Sequence, residues 1–318
     1  MFHFAGPGQN QSLAPPTFLL TGIPGLEGHR VWVSALFCSL YAFALLGNSA
    51  VLVVIVKDQG LRKPMYLFLS MLAVSELGVS LSTLPTVLGV FLFGAREIGL
   101  DACLAQMFLL HSFTIIDSGV LWAMALDRFV AIYNPLQYTT ILTNFRITMM
   151  GIGIAARSVL LMAPLPALLK RLPYLQSNLL AHPYCLHPNL IHLPCADTAV
   201  NSRLGLFVFL CSFGLDSACI AVSYAMILKT VLSKAFKEGR LRALNTCISH
   251  ICAVVAYYVP MTSVSMAHRF GKDTSPLLHS VMAHIYLLVP PVVNPVIYSI
   301  KTKEIRRAFG RLFSPRQL

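Results

Sequence analysis

The chain has 318 residues, of which 56% are hydrophobic and only 11% charged, with a mean hydropathy of +0.71. Soluble domains carry about 25% charged residues, so composition excludes a soluble globular domain and indicates a membrane protein. The net charge of +12 would suit nucleic acid, but the basic residues cluster at the ends of apolar runs, the pattern of membrane orientation and contact with anionic lipid.

In chain order, the first residues, MFHFAGPGQN, hold no basic region followed by an apolar stretch. No cleavable signal peptide is therefore expected, and the first span should direct insertion. A bilayer core needs roughly 20 apolar helical residues. Runs of that length or more recur at 29–56, 64–92, 99–133, 145–169, 202–233, 243–268 and 277–300. The predicted fold is an all-α bundle of seven transmembrane helices, with tail 1–28, bundle 29–300 and a closing segment 301–318. Runs longer than the minimum imply tilt or extension past the bilayer. Breakers separate the spans at Lys63-Pro64, Phe93-Gly94, Asn134-Pro135, the Pro/His-rich stretch 173–195, and 271–276. Pro164, Pro260 and Pro295 fall inside spans and are expected to kink them. No inverted duplication of a transporter type is visible. The segment from Thr302 to Leu312 alternates Lys303, Arg306, Arg307 and Arg311 with Ile305, Ala308, Phe309 and Leu312. It reads as a short basic amphipathic helix for a membrane surface, with a frayed tail as the alternative.

Orientation follows from the connections. One set holds Lys57, Arg62, Lys63, Arg146, Lys229, Lys234, Lys237, Arg240, Arg242 and the tail from Lys301 to Arg316. The other holds Arg30, Arg96, Lys170, Arg171, Arg203, Arg269 and Lys272, about half as many. The positive-inside rule makes the first set cytoplasmic and the N-terminus extracellular. On that outer tail lies the sequon Asn10-Gln11-Ser12, a possible glycosylation site.

Four ordered stretches carry a family resemblance: PMYLFLSMLAVS at 64–75, MALDRFVAIYNPLQY at 124–138, RALNTCISHICAV at 242–254 and PPVVNPVIYSIKTKEIR at 290–306. They resemble the signatures of odorant receptors within the rhodopsin-like G-protein-coupled receptors. LTGIPGLE at 20–27, Asp216-Ser217 and HRFGK at 268–272 resemble the class I, fish-like branch. The resemblance implies a plasma-membrane receptor that binds a small-molecule odorant and acts through a stimulatory olfactory-type G protein. It implies no cofactor and no nucleic-acid partner. Departures are Tyr133 where the family usually has Cys, Gln137 for Arg, Glu76 for Asp and Asp117 for Glu; the last two keep both carboxylates with their lengths exchanged.

An ion at mid-membrane is costly, but Arg128 lies at the inner end of its span beside Asp127. The resemblance implies a latch, paired at rest and free to meet a G protein when active; a plain interfacial anchor is the alternative. Tyr224, Asn294, Pro295 and Tyr298 resemble positions that rearrange on activation. Asn294-Pro295 leaves a free carbonyl within a helix, a natural hinge, although packing alone could explain it. Glu76 and Asp117 should face the bundle interior, holding sodium or sharing a proton. Arg157 and Asp216 could pair with each other or with these acids.

Cys103 and Cys185 match the family's staple between the third helix and the long outer loop, in an oxidising compartment. Cys195 lacks the expected partner, because Leu175 occupies its place. Cys38, Cys211, Cys219, Cys247 and Cys252 read as packing residues. His182, His187 and His192 surround Cys185, where a Zn or Cu site can be drawn but no tight spacing compels it, and solvated loop histidines are the favoured alternative. An arginine holds a carboxylate bidentately, and the resemblance implies Arg269 as an anchor for carboxylic acids, with lipid-headgroup contact as the alternative. Carried over as pocket walls are Ser265, His111, Thr114, Ile115, Met162, Leu165, His187, Gly205 and Phe209.

Other function classes fit less well. A transporter or channel needs a polar path, and the intramembrane charges here are few and scattered. No H-E-x-x-H or G-x-S-x-G motif supports an intramembrane enzyme. A metabolite-sensing receptor of the same family, expressed outside the nose, would use the same chemistry.

Overall fold

The computed structural model describes residues 17–25, 27–174, 178–194, 196–234, 237–270 and 276–313. Among them seven helices have spanning length and hydropathy: α1 (Arg30–Lys57), α2 (Pro64–Phe93), α3 (Leu100–Tyr133), α4 (Asn144–Leu169), α5 (Ala199–Ser233), α6 (Lys237–Phe270) and α7 (Pro276–Lys301). A shorter helix, α8 (Lys303–Phe313), follows.

The helix ends lie where local chemistry stops or starts them. Pro64 opens α2, where the missing N–H costs nothing. Gly94 closes it at φ +70°, a backbone conformation that glycine adopts without strain. Arg30 supplies the last carbonyls of α2 with donors, its Nε to Phe91 O at 2.8 Å and its Nη2 to Leu92 O at 3.1 Å. A side chain at position 94 would bring its Cβ within 2.9 Å of that guanidinium.

Two irregularities were not legible in the sequence. α2 ends in a π-helical turn, Gly89–Phe93, and α5 contains another, Leu210–Gly214. α4 is interrupted at Ala163, just before Pro164, as expected of an internal proline. By contrast Pro260 and Pro295 lie within continuous helical segments.

One end of the bundle carries a small sheet made from three separate connections. β1 (Thr17–Leu20) lies between β2 (Glu97–Gly99) and β3 (Leu179–Leu180), antiparallel to the first and parallel to the second. Phe18 and Leu20 are fully buried and pack with Ile98, Leu100 and Leu180. The segment before the first span is therefore tied to the bundle by β1.

At the opposite end α8 packs against α1 and α7. Ile305 and Ala308 are buried while Lys303, Arg306 and Arg307 are exposed, the two-faced pattern of a surface helix. Arg311 Nη2 reaches Asp58 Oδ2 at 2.6 Å, and Asp58 Oδ1 caps Gly60 N–H at 2.9 Å. α3 is the axis, packed against α2, α4, α5 and α6. Leu121, Met124, Leu72 and Ile147 form the core toward α8; Met107, Met162, Leu165 and Val208 form it toward the sheet.

Candidate functional site

The loop between α4 and α5 is stapled across the sheet end. Cys185 forms a disulfide with Cys103 in the first turn of α3, their Cα atoms 5.5 Å apart. The Cys185 N–H donates to Gln106 Oε1 at 2.9 Å, and Tyr184 donates its hydroxyl to Ala283 O at 2.8 Å. This fixed path carries His187 inward, where its backbone N–H meets His111 Nε2 at 3.4 Å. A neutral His111 therefore holds its proton on Nδ1. Gly205 leaves room for the His187 ring, since a Cβ there would lie 2.7 Å from Cε1.

Beneath this loop lies a cavity of about 580 Å³. Of the residues expected as pocket walls, His111, Ile115, Met162, Leu165, His187, Gly205, Phe209 and Ser265 line it. Thr114 does not. It sits behind Tyr286, which donates its hydroxyl to Thr114 Oγ1 at 3.2 Å. Arg269 lies in the last turn of α6, four residues beyond Ser265; its side chain is outside the described residues, as are Asn10, Leu175 and Cys195. Such a space, mostly apolar with a few placed polar groups, is the general form of a small-molecule site.

The three loop histidines point to different surroundings, and His182 and His187 are buried rather than solvated as expected, because the stapled loop folds over the bundle. His182 stacks on Tyr184, with centroids 6.1 Å apart, while His187 and His192 line the cavity. Among the described residues no three His, Cys, Asp or Glu side chains converge as metal ligands.

At the α8 end, Arg128 Nη2 lies 3.1 Å from Asp127 Oδ2, and Tyr138 donates to Asp127 Oδ1 at 2.6 Å. Burial and the Asp127 carboxylate push the Tyr138 hydroxyl upward, so it remains a donor. Asn294 donates to Glu76, whereas Ser75 donates to Asp117, so the two buried acids have different partners. Pro295 packs close to Gly47, where an added Cβ would meet its ring at 3.1 Å. Tyr298 is buried, and its hydroxyl has no hydrogen-bond partner among the described residues.

Against known proteins, the family model for olfactory receptors matches residues 37–316. The chain belongs to the olfactory receptor family. It is therefore a G-protein-coupled receptor with a multi-pass membrane bundle. Among human proteins it is similar to Olfactory receptor 51I2, at 54% identity over 94% of this chain and 96% of that protein. It is also similar to Olfactory receptor 51I1, at 50% identity over 95% and 96% of the two chains, and to Olfactory receptor 51G1, at 52% over 96% and 95%.

The receptor pairs Arg157 with Asp216, one of the alternatives the sequence left open. The contact is bidentate, at 2.7 and 2.6 Å, and joins α4 to α5. Ser118 donates to Asp216 Oδ2 at 2.8 Å and lies 2.8 Å from the Tyr258 hydroxyl, adding α3 and α6 to the group. Gly119 leaves space for the guanidinium, since a Cβ there would lie 3.0 Å from Arg157 Nη2.

The sequence reading of the receptor missed His250, Ser75, Tyr138 and Tyr286. His250 Nε2 donates to Leu121 O at 2.9 Å; in a neutral ring Nδ1 must then accept from Tyr224, 2.7 Å away. A histidine within the apolar run ISHICAV was a usable signal for this link. The others had none beyond being polar residues in spans or beside one.

Proposed function

We propose that this olfactory receptor lies in the plasma membrane with its sheet end and N-terminal tail outside and α8 in the cytoplasm. We assign it to the class I, fish-like branch, with small carboxylic acids or related oxygenated volatiles as ligands. Residues 1–28 form the outer tail, glycosylated at Asn10, and residues 301–318 the inner amphipathic helix and tail. Ligand enters the cavity beneath the stapled loop. Arg269 holds the carboxylate, Ser265, His111 and His187 supply further polar contacts, and Ile115, Met162, Leu165, Gly205 and Phe209 accommodate the chain; Thr114 supports the floor.

The observation that carries this reading is the cavity itself, about 580 Å³ in volume and bounded by eight of the ten residues proposed for ligand contact. Binding stabilises an arrangement in which Arg128 leaves Asp127, with Tyr224, Asn294, Pro295 and Tyr298 changing partners. A stimulatory G protein then raises cAMP. A ligand shifts such an equilibrium only by its differential affinity for the two arrangements. Glu76 and Asp117 provide an internal site for sodium or a shared proton, where a cation would bias the resting form.

The test is a cAMP reporter challenged with acids, alcohols and aldehydes of graded chain length. Acids should be preferred, and Arg269→Ala should abolish the acid response while surface expression persists. An unchanged acid dose–response in that variant would refute the anchor and leave the family assignment intact.

A further inference from the structure

A second, much smaller chamber adjoins the large cavity, between α2, α3, α6 and α7. Its volume is about 10 Å³, near the lower limit for one water molecule. Asp117, Thr114, Tyr257 and Pro291 are among its walls. Among the described residues, Tyr286 on α7 is the one that lines both spaces.

The Tyr286 ring is held in place rather than loosely packed. Its hydroxyl donates to Thr114 Oγ1 at 3.2 Å, and Thr114 Oγ1 in turn donates to Leu110 O at 2.8 Å. Tyr257 donates to the Thr114 carbonyl at 2.5 Å, which ties α6 to the same point of α3. On α3 the two spaces overlap in depth, His111 and Ile115 facing the large cavity and Leu110, Thr114 and Asp117 the small one; the small chamber reaches deeper on α6, where Tyr257 lies one turn below Met261, and on α7, where Pro290 lies one turn beyond Tyr286.

We propose that Tyr286 is the specificity-determining floor of the ligand cavity, closing off the space that reaches Asp117 and so limiting the length of ligand accepted. The inference rests on the proposed ligand site and adds which side chain sets its depth. Without the ring, the two spaces join, and an alkyl chain can run past Thr114 toward Pro291. Each methylene gained or excluded by an apolar wall changes discrimination by about 10- to 200-fold, so the effect is readable as a shift in preferred homologue.

The experiment uses the full chain in cells with a cAMP reporter and a series of straight-chain carboxylic acids and matched primary alcohols. Surface expression is measured for each variant. Tyr286→Ala should move the optimum to longer homologues by at least about two carbons, with a gain of about tenfold or more for the new optimum. Tyr286→Phe keeps the ring and should leave the preferred length at the wild-type value. Tyr286→Leu carries the same test as alanine if that variant does not reach the surface. Gly205→Ala is the control from the opposite wall: its added methyl pushes the His187 ring into the cavity and should shorten the preferred chain.

A length preference unchanged by alanine or leucine, with Gly205→Ala still shortening it, overturns the floor assignment while sparing the cavity. No change in any variant overturns the cavity as the ligand site. A shift in Tyr286→Phe equal to that in alanine assigns the effect to the hydroxyl and also overturns the floor.

Discussion

At the sheet end, helices α3 to α6 stand apart around a space of about 580 Å³, roofed by a loop that the Cys103–Cys185 disulfide holds down. At the α8 end His250 joins α6 to Leu121 of α3 and to Tyr224 of α5, while Asp127 holds Arg128 beside it and Tyr138 in the following connection. The difference teaches where each kind of event can occur. A cavity receives a ligand without moving its walls far, whereas polar pairs bridging helices register any relative helix motion as lost or exchanged hydrogen bonds. Between the ends sits the Arg157–Asp216 pair with Ser118 and Tyr258, which fastens four helices at mid-depth.

The largest effect should come from removing the roof. Cys103→Ser should destabilise the receptor by about 2–5 kcal/mol, the usual cost of a native disulfide in a small extracellular framework. Thermal unfolding of solubilised receptor should show this, with surface expression falling in parallel. A variant as stable as wild type would show that the hydrogen bonds from Cys185 and Tyr184 hold the loop by themselves.

The mid-depth fastening comes next. Asp216→Leu leaves the Arg157 guanidinium without its carboxylate, and breaking a buried pair in this way costs about 3–5 kcal/mol. The Arg157 side chain is 25% exposed, which favours the lower figure. The double variant Arg157→Met with Asp216→Leu should recover most of the loss in the same unfolding assay. Failure to recover would mean that Ser118 and Tyr258 need the carboxylate more than Arg157 does.

The smallest change sharpens the α8 end. Tyr138→Phe removes one hydrogen bond to Asp127, worth about 1.5–3 kcal/mol for a charged acceptor. Basal cAMP should rise while the ligand concentration giving half-maximal response falls. Unchanged basal output would place Tyr138 outside the switch.

Much of this was legible in the sequence because bilayers demand long apolar helices, and Lys63-Pro64, Gly94 and Asn134-Pro135 punctuate them with known chemistry. α5 starts at Ala199 rather than 202, and α6 at Lys237 rather than 243, because a polar residue outside the bilayer can continue a helix without being apolar. The three-stranded sheet was not legible. Its strands are two to four residues long and come from distant connections, so no periodicity announces them. Of the proposed pocket walls, the side chains on α3, α4 and α5 fell around one cavity, except Thr114, whose neighbour Ile115 takes the inward place. The sequence could not show which acid Arg157 would choose, since that depends on rotation of α4 and on the space left by Gly119.

The separation of a ligand end from a signalling end is tested most directly in Arg128→Ala. Binding of the acids proposed as ligands is followed as a ligand-induced rise in unfolding temperature of the purified variant, beside cAMP output in cells. The expected result is a thermal shift equal to wild type with no cAMP response. A retained cAMP response, or loss of the thermal shift together with the signal, would contradict it.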